Sequence, residues 1–355
     1  MTEKYTMGMI FSANHGHAKG HMRTMEVVPE VTDIHLCAIA DGELEDLASM
    51  SKKVRTKTRS MDDLLKRNDL DALVICVRND LGPGVIQAGL DTGLPSIFEK
   101  PVALSADHLR PVAESARKKG ITVGNFMQWR GQPFIQEMYE ARVSGALGKV
   151  MTAEARMVTS QARYRRPSGW MFQKEYAGSG ILGWLGCHLI DMMNYTIGDR
   201  VVEVMAMVGN QAGEKITVED TAMLIMRYSS GVLGTLHAGY LQPKYEGSPG
   251  DDSFLALRGT DGYVRFPFGG DAGIVELLSI APGFESGGLR EKKFKLPEST
   301  AYGGRPGELF FLNFMRAAKK GERALNSIDD MLHTLEIIDA ALKSSETRRA
   351  VKIGG

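Results

Sequence analysis

In Leu94-Pro95-Ser96-Ile97-Phe98-Glu99-Lys100-Pro101 an apolar run gives way to an acid, a lysine and a proline. Read as a buried parallel strand, the run brings Glu99 and Lys100 out at the carboxyl edge of a sheet, where open α/β sheets place their ligands, and Pro101 ends the ladder. A lysine so placed is a candidate proton donor. Taken alone, its ordinary reading is a solvated lysine beside a glutamate.

The flanking sequence supplies the sheet. Apolar runs at Thr6–Phe11, Ile34–Ala40, Ala72–Val77, Ser96–Phe98 and Ile121–Val123 alternate with amphipathic segments such as Gly84–Thr92 and Ser105–Lys119, the pattern of βαβ units around a parallel sheet. Residues 1–130 therefore read as a doubly wound, Rossmann-type nucleotide-binding domain. From Gly131 the texture changes. A helical stretch, Gln132–Val143, precedes β-rich runs at Lys149–Val158, Val201–Val208, Thr221–Arg227, Val232–Tyr240, Phe254–Arg258 and Tyr263–Phe266, and two amphipathic helices, Gly307–Lys320 and Ile328–Glu346, close the chain. Residues 131–355 are expected to form a C-terminal α/β domain with a large, mostly antiparallel open sheet, its last helices packing back on the first domain.

A chain of 355 residues exceeds what one core usually serves, in keeping with two domains. Lys plus Arg (43) balance Asp plus Glu (43), so no basic footprint for nucleic acid or anionic membrane exists and a small ligand fits better. The absence of a long apolar segment argues against export and membrane insertion. Cys37, Cys76 and Cys187 are odd in number and far apart, which points to a reducing cytoplasm and no structural zinc.

The turn after the first strand reads Phe11-Ser12-Ala13-Asn14-His15-Gly16-His17-Ala18-Lys19-Gly20-His21, which does not meet the Gly-x-Gly-x-x-Gly fingerprint. Ser12 and Ala13 still permit close backbone approach, Gly16 can make the tight turn, and Asn14 with the histidines adds donors near a phosphate. Histidines on a phosphate loop need no metal, and none is expected. Asp41, ending the second strand, stands where a carboxylate binds ribose hydroxyls and repels a 2′-phosphate; its other reading is a helix cap. Val77, Arg78 and Asn79 follow the third strand at the same edge, and Arg78 keeps NADP open beside NAD. A second segment, Gly178-Ser179-Gly180-Ile181-Leu182-Gly183-Trp184-Leu185-Gly186-Cys187-His188-Leu189-Ile190-Asp191, lets backbone pass close to a ligand and then enters a helix. There His188 and Asp191 share a face, so the carboxylate can orient the imidazole. A strand-end lysine and an oriented histidine can serve as acid/base partners for a secondary alcohol.

Together Glu99-Lys100-Pro101, Gly145–Gly148, the Gly178–Asp191 segment and Glu219-Asp220-Thr221 with Gly231 resemble the Gfo/Idh/MocA family of oxidoreductases, the relatives of glucose–fructose oxidoreductase and inositol dehydrogenase. The resemblance implies an N-terminal Rossmann domain binding NAD or NADP through residues 12–16, Asp41, 77–79, Glu99 and Lys100. It also implies a catalytic pair Lys100 and His188, and homodimers or homotetramers built through the C-terminal sheet. It departs at the degraded glycine loop, at Trp184, where many sugar and inositol dehydrogenases carry an aspartate, and at Gly82, where a polar group is usual. An indole cannot accept a proton but can stack on a sugar ring. Gln128, Arg130, Arg163 and Tyr164 are candidate donors to the hydroxyls or carboxylate of a polyol or sugar; for the arginine-rich loop the other reading is a solvated surface. The expected activity is reversible oxidation of a secondary alcohol. The alternatives are glycoside cleavage through transient oxidation by bound NAD, and a non-catalytic sugar-binding regulator.

Overall fold

The computed structural model describes residues 3–12, 17–40, 42–244, 251–268, 273–284 and 288–354. The chain divides into two compact units, the first made of Met1–Gly131, Glu175–Ala177 and Leu296–Leu332, the second of Gln132–Lys174, Gly178–Lys295 and His333–Gly355.

Strands β1 (Tyr5–Phe11), β2 (Val31–Ala38), β3 (Val54–Thr58), β4 (Ala72–Cys76), β5 (Ser96–Phe98) and β6 (Val123–Asn125) form an all-parallel sheet in the order β3-β2-β1-β4-β5-β6. That is the doubly wound arrangement, with its order reversing between β1 and β4. Every residue of β4 is buried, as a central strand covered on both faces requires. Between the strands run α1 (Ala18–Val27), α2 (Leu44–Ala48), α3 (Met61–Leu65), α4 (Gly82–Asp91) and α5 (Ala106–Lys119). The ammonium of Lys53 donates to the carbonyls of Met25, Glu26 and Val28 at 2.6–2.8 Å, satisfying the orphan acceptors at the end of α1 and complementing its dipole.

The second unit is built on β7 (Val150–Ser160), β8 (Val201–Gly209), β9 (Thr221–Tyr228), β10 (Leu233–Gln242), β11 (Asp252–Gly259), β12 (Gly262–Phe268), β13 (Gly273–Ser279), β14 (Leu289–Phe294) and β15 (Val351–Lys352). Their order is β14-β13-β12-β11-β7-β10-β9-β8-β15, antiparallel except where β7 meets β10. Helices α6 (Pro133–Val143) and α8 (Cys187–Ile197) cover one face, with Phe134 stacked on Phe266 and Tyr139 on Tyr195. On the opposite face Met205 pairs with Ile225 and Met207 with Met223, all four exposed, Met207 at 77%. The short α7 (Lys174–Ala177) precedes α8, and α9 (Gly304–Lys320) and α10 (Ile328–Thr347) follow the strands. In the first unit, Phe310, Phe311, Phe314 and Met315 of α9 enter the core with Met7, Met9, Met22 and Met25.

The expected α/β class and sheet types are present. Strand β3 is additional to the sequence reading, since Val54-Arg55-Thr56-Lys57-Thr58 is a half-exposed edge strand whose charges hide its apolar period. Strand β14, Leu-Arg-Glu-Lys-Lys-Phe, is missed for the same reason.

Candidate active site

In the first unit the site grows from the end of β5. Lys100 does not emerge into solvent: it is 1% exposed, and the Lys100–Pro101 peptide is cis. The preceding Glu99 is equally buried. His21 Nε2 donates to its Oε1 at 2.6 Å, His17 Nδ1 lies 3.0 Å from its Oε2, and the Lys100 amide donates to Oε2 at 3.2 Å. Burial alone would raise the Glu99 carboxyl, but the charge and hydrogen bonds of the two imidazoles outweigh it and hold the group well below the ordinary carboxylate range. Burial likewise pushes His21 below its usual value against the pull of Glu99. His21 stacks on Phe126 with centroids 3.8 Å apart, and the Tyr302 hydroxyl bonds the His17 ring at 3.1 Å. His17 and His21, read in the sequence as phosphate-side donors, are therefore turned to Glu99. Glu99 lies 78 positions from His21, so no local pattern in the sequence pairs them.

At the reversal of strand order, Ser12 follows β1 and its amide bonds the Cys76 carbonyl, while its hydroxyl accepts from the Arg78 amide at 3.0 Å. Val77 is buried. The Arg78 guanidinium makes a two-pronged contact with Asp80 at 3.0 and 2.9 Å and lies 4.4 Å from the Tyr176 ring centre. Asn79 is buried and donates to the Ala177 carbonyl. This small, polar edge at a switch point suits a dinucleotide. A Cβ on Gly82 would stand 2.0 Å from the Val102 carbonyl, so the loop after Pro101 leaves no room for the polar side chain whose absence the sequence showed. Val102 itself has φ 63°, a strained value for a β-branched residue and of a kind that collects at ligand sites. Ala13, Asn14, His15, Gly16 and Asp41 lie outside the described residues.

In the second unit, Leu182–Gly186 form a π-helical turn that runs directly into α8. Such turns re-aim side chains and recur at functional sites. Trp184 sits in the turn, edge-on to Trp170 with centroids 6.1 Å apart; His188 and Asp191 follow one helical turn from each other, both buried. The remaining predicted residues are engaged elsewhere within their own units. Arg163 pairs with Glu214 at 2.7 Å, and Tyr164 is exposed. Arg130 is buried, donating to the Leu325 carbonyl at 2.9 Å with Asp330 at 3.5 Å, and Gln128 is buried against Gly303. Arg165, in the same arginine-rich loop, is held by the Ser160 carbonyl and the Thr159 hydroxyl over the Tyr240 ring. Among the described residues no group of three or more His, Cys, Asp or Glu side chains is arranged to hold a metal, and no helix is long and apolar enough to cross a membrane.

A parallel sheet with a switch point is the architecture of dinucleotide-binding domains, and an open-sheet α/β unit follows it in the chain. Residues 7–126 match the oxidoreductase family model for an NAD-binding Rossmann fold, and residues 135–265 match the Gfo/Idh/MocA C-terminal domain. The chain belongs to the Gfo/Idh/MocA family, and its first domain is an NAD-binding Rossmann domain. It is similar to 1,5-anhydro-D-fructose reductase of Ensifer adhaerens, 26% identical over 51% of this chain and 54% of that one. It is similar also to levoglucosan dehydrogenase of Pseudarthrobacter phenanthrenivorans, 22% identical over 65% and 64%. The match thus spans about half to two-thirds of those relatives. With myo-inositol 2-dehydrogenase of Thermotoga maritima it is 24% identical over 91% of this chain and 92% of that one. Among solved structures, levoglucosan dehydrogenase in complex with NADH superposes with a TM-score of 0.85 at 19% identity, covering 98% and 99% of the two chains.

Proposed function

We propose that the protein is an NAD-dependent dehydrogenase that oxidises a secondary alcohol of a ring-form sugar, anhydrosugar or cyclitol, reversibly. The observation that carries this reading is Lys100, buried at the carboxyl end of β5 in an NAD-binding domain with its backbone fixed by the Glu99 carboxylate. Relatives named for levoglucosan, 1,5-anhydro-D-fructose and myo-inositol support a cyclic polyol as substrate. Arg78 supports NAD over NADP, because Asp80 already occupies its fork and would repel a 2′-phosphate.

The cofactor, when bound, supplies the hydride acceptor. Ser12, the edge residues 77–79 and, outside the described residues, 13–16 and Asp41 would hold it. Lys100 would donate a hydrogen bond to the reacting oxygen and stabilise the negative charge that develops there. His188 would take the hydroxyl proton, Asp191 would orient the ring, and Trp184 would stack on the apolar face of the sugar. The exposed Met205, Met207, Met223 and Ile225 would be covered by a second copy in a homodimer or homotetramer, since a patch of this kind is unusual on a free surface.

The reading is tested by calorimetry with NAD and NADP, followed by nicotinamide absorbance on adding levoglucosan, myo-inositol and common aldoses. Tighter binding of NAD and reduction with at least one ring polyol are expected. Absence of binding to either dinucleotide contradicts it.

A further inference from the structure

The segment that carries His188 begins without a cap of its own: the turn Leu182–Gly186 and α8 each lack a side-chain cap. The amides at its start are met instead from residue 219. Ile181 donates its amide to the Glu219 carbonyl at 3.0 Å, and Leu182 donates to Glu219 Oε1 at 3.0 Å, a contact across 37 positions of sequence. Two consecutive donors, the Ile181 and Leu182 amides, are thereby satisfied by one residue, whose carboxyl group stands at the positive end of a helix. Gly180 is matched to this contact, because a Cβ there would lie 2.0 Å from the Glu219 carbonyl oxygen. Glu219 is 8% exposed.

We propose that Glu219 is a positioning residue, a carboxylate clamp that fixes the start of the π-turn and so sets where Trp184 and His188 stand. The proposal rests on the reading of His188 as the proton acceptor. A carboxylate suits this role because each of its two oxygens can take an amide, whereas a glutamine would turn an NH2 group toward one of them.

Burial raises the Glu219 carboxyl, against the amides and the charge of Lys174; the other titratable group facing it is Tyr240, itself pushed up first by burial. A folded-state pKa above the unfolded value means the native state holds its proton longer, so stability falls as pH rises from about 4.5 through the folded value.

The test uses the full chain with Glu219→Gln and Glu219→Asp. Hydrogen exchange of the Ile181 and Leu182 amides is read together with kcat and KM for a turned-over ring polyol and with NAD affinity. For Glu219→Gln we expect unchanged or higher thermal stability at neutral pH and exchange at these amides faster by about tenfold or more. The same variant should show a fall in kcat of about 10–100-fold with NAD affinity unaltered. Glu219→Asp, retaining the charge, should recover part of both losses. Protection and kcat close to wild type in Glu219→Gln overturn the proposal, as does a kcat loss with protection intact. If the wild type turns over no sugar while Glu219→Gln still releases the amides, the clamp stands and the dehydrogenase reading fails.

Discussion

At the residue scale the first unit carries an acid and a lysine that are both withdrawn from water. Replacing Lys100 by Ala should lower kcat by about 10²–10⁴-fold while NAD affinity stays near wild type, because the ammonium is assigned to the transition state; steady-state rates beside calorimetry check this. Glu99 gives a pH signature. Its folded-state pKa is depressed, so its contribution is present above about 4.5 and is lost as pH falls through the lower folded value. His21, also depressed, contributes above about 6.5 and loses that contribution as pH falls through its folded value. Urea midpoints of the wild type should therefore decline on acidification from about pH 6.5, and Glu99→Gln should flatten the part of the decline below about pH 4.5. The thiols are a further check. Burial raises Cys37 to about 11 and Cys76 well above its usual value, so neither should react with a thiol reagent until the protein unfolds.

At the scale of elements, two contacts set the frame. Lys53→Met should cost about 1–2 kcal/mol by urea unfolding, since it removes the ammonium from the Met25 and Glu26 carbonyls at the end of α1 and leaves the Val28 carbonyl with the Val31 amide alone. Gly180→Ala should cost about 1–3 kcal/mol or more, because the methyl group meets the Glu219 carbonyl and one side must move. Legibility in the sequence followed burial. Strands β1, β4 and β5 are continuous apolar runs and stand out, whereas β3 and β14 lie at sheet edges, where charged side chains mask the pattern. The site divides in the same way. Lys100, His188 and Trp184 are singled out by local motifs, and their roles belong to the proposed function. The histidine clamp on Glu99 and the Glu219 clamp on Leu182 join residues 78 and 37 positions apart, and no local pattern records such pairs. Arg163 and Arg130 looked like substrate donors because sequence shows their charge and hides Glu214 and Asp330.

At the scale of the whole molecule, each unit brings its own logic: a parallel sheet whose order reverses at β1 and β4, and an open sheet with one face under helices and one bare. Substituting Met207 and Met223 together by Lys should convert an assembled species into a smaller one in light scattering, with the fold retained by circular dichroism; an unchanged mass would remove this face from the assembly. The central proposal is that Lys100 and His188 would handle the oxygen and the proton of a ring polyol, with NAD supplying the hydride acceptor when bound. A single-turnover absorbance experiment with NAD-loaded enzyme and a ring polyol that the wild type oxidises tests it most directly. The account predicts prompt nicotinamide reduction in the wild type and a rate lower by orders of magnitude in Lys100→Ala and in His188→Ala, each still binding NAD. Reduction at the wild-type rate in either variant would contradict it.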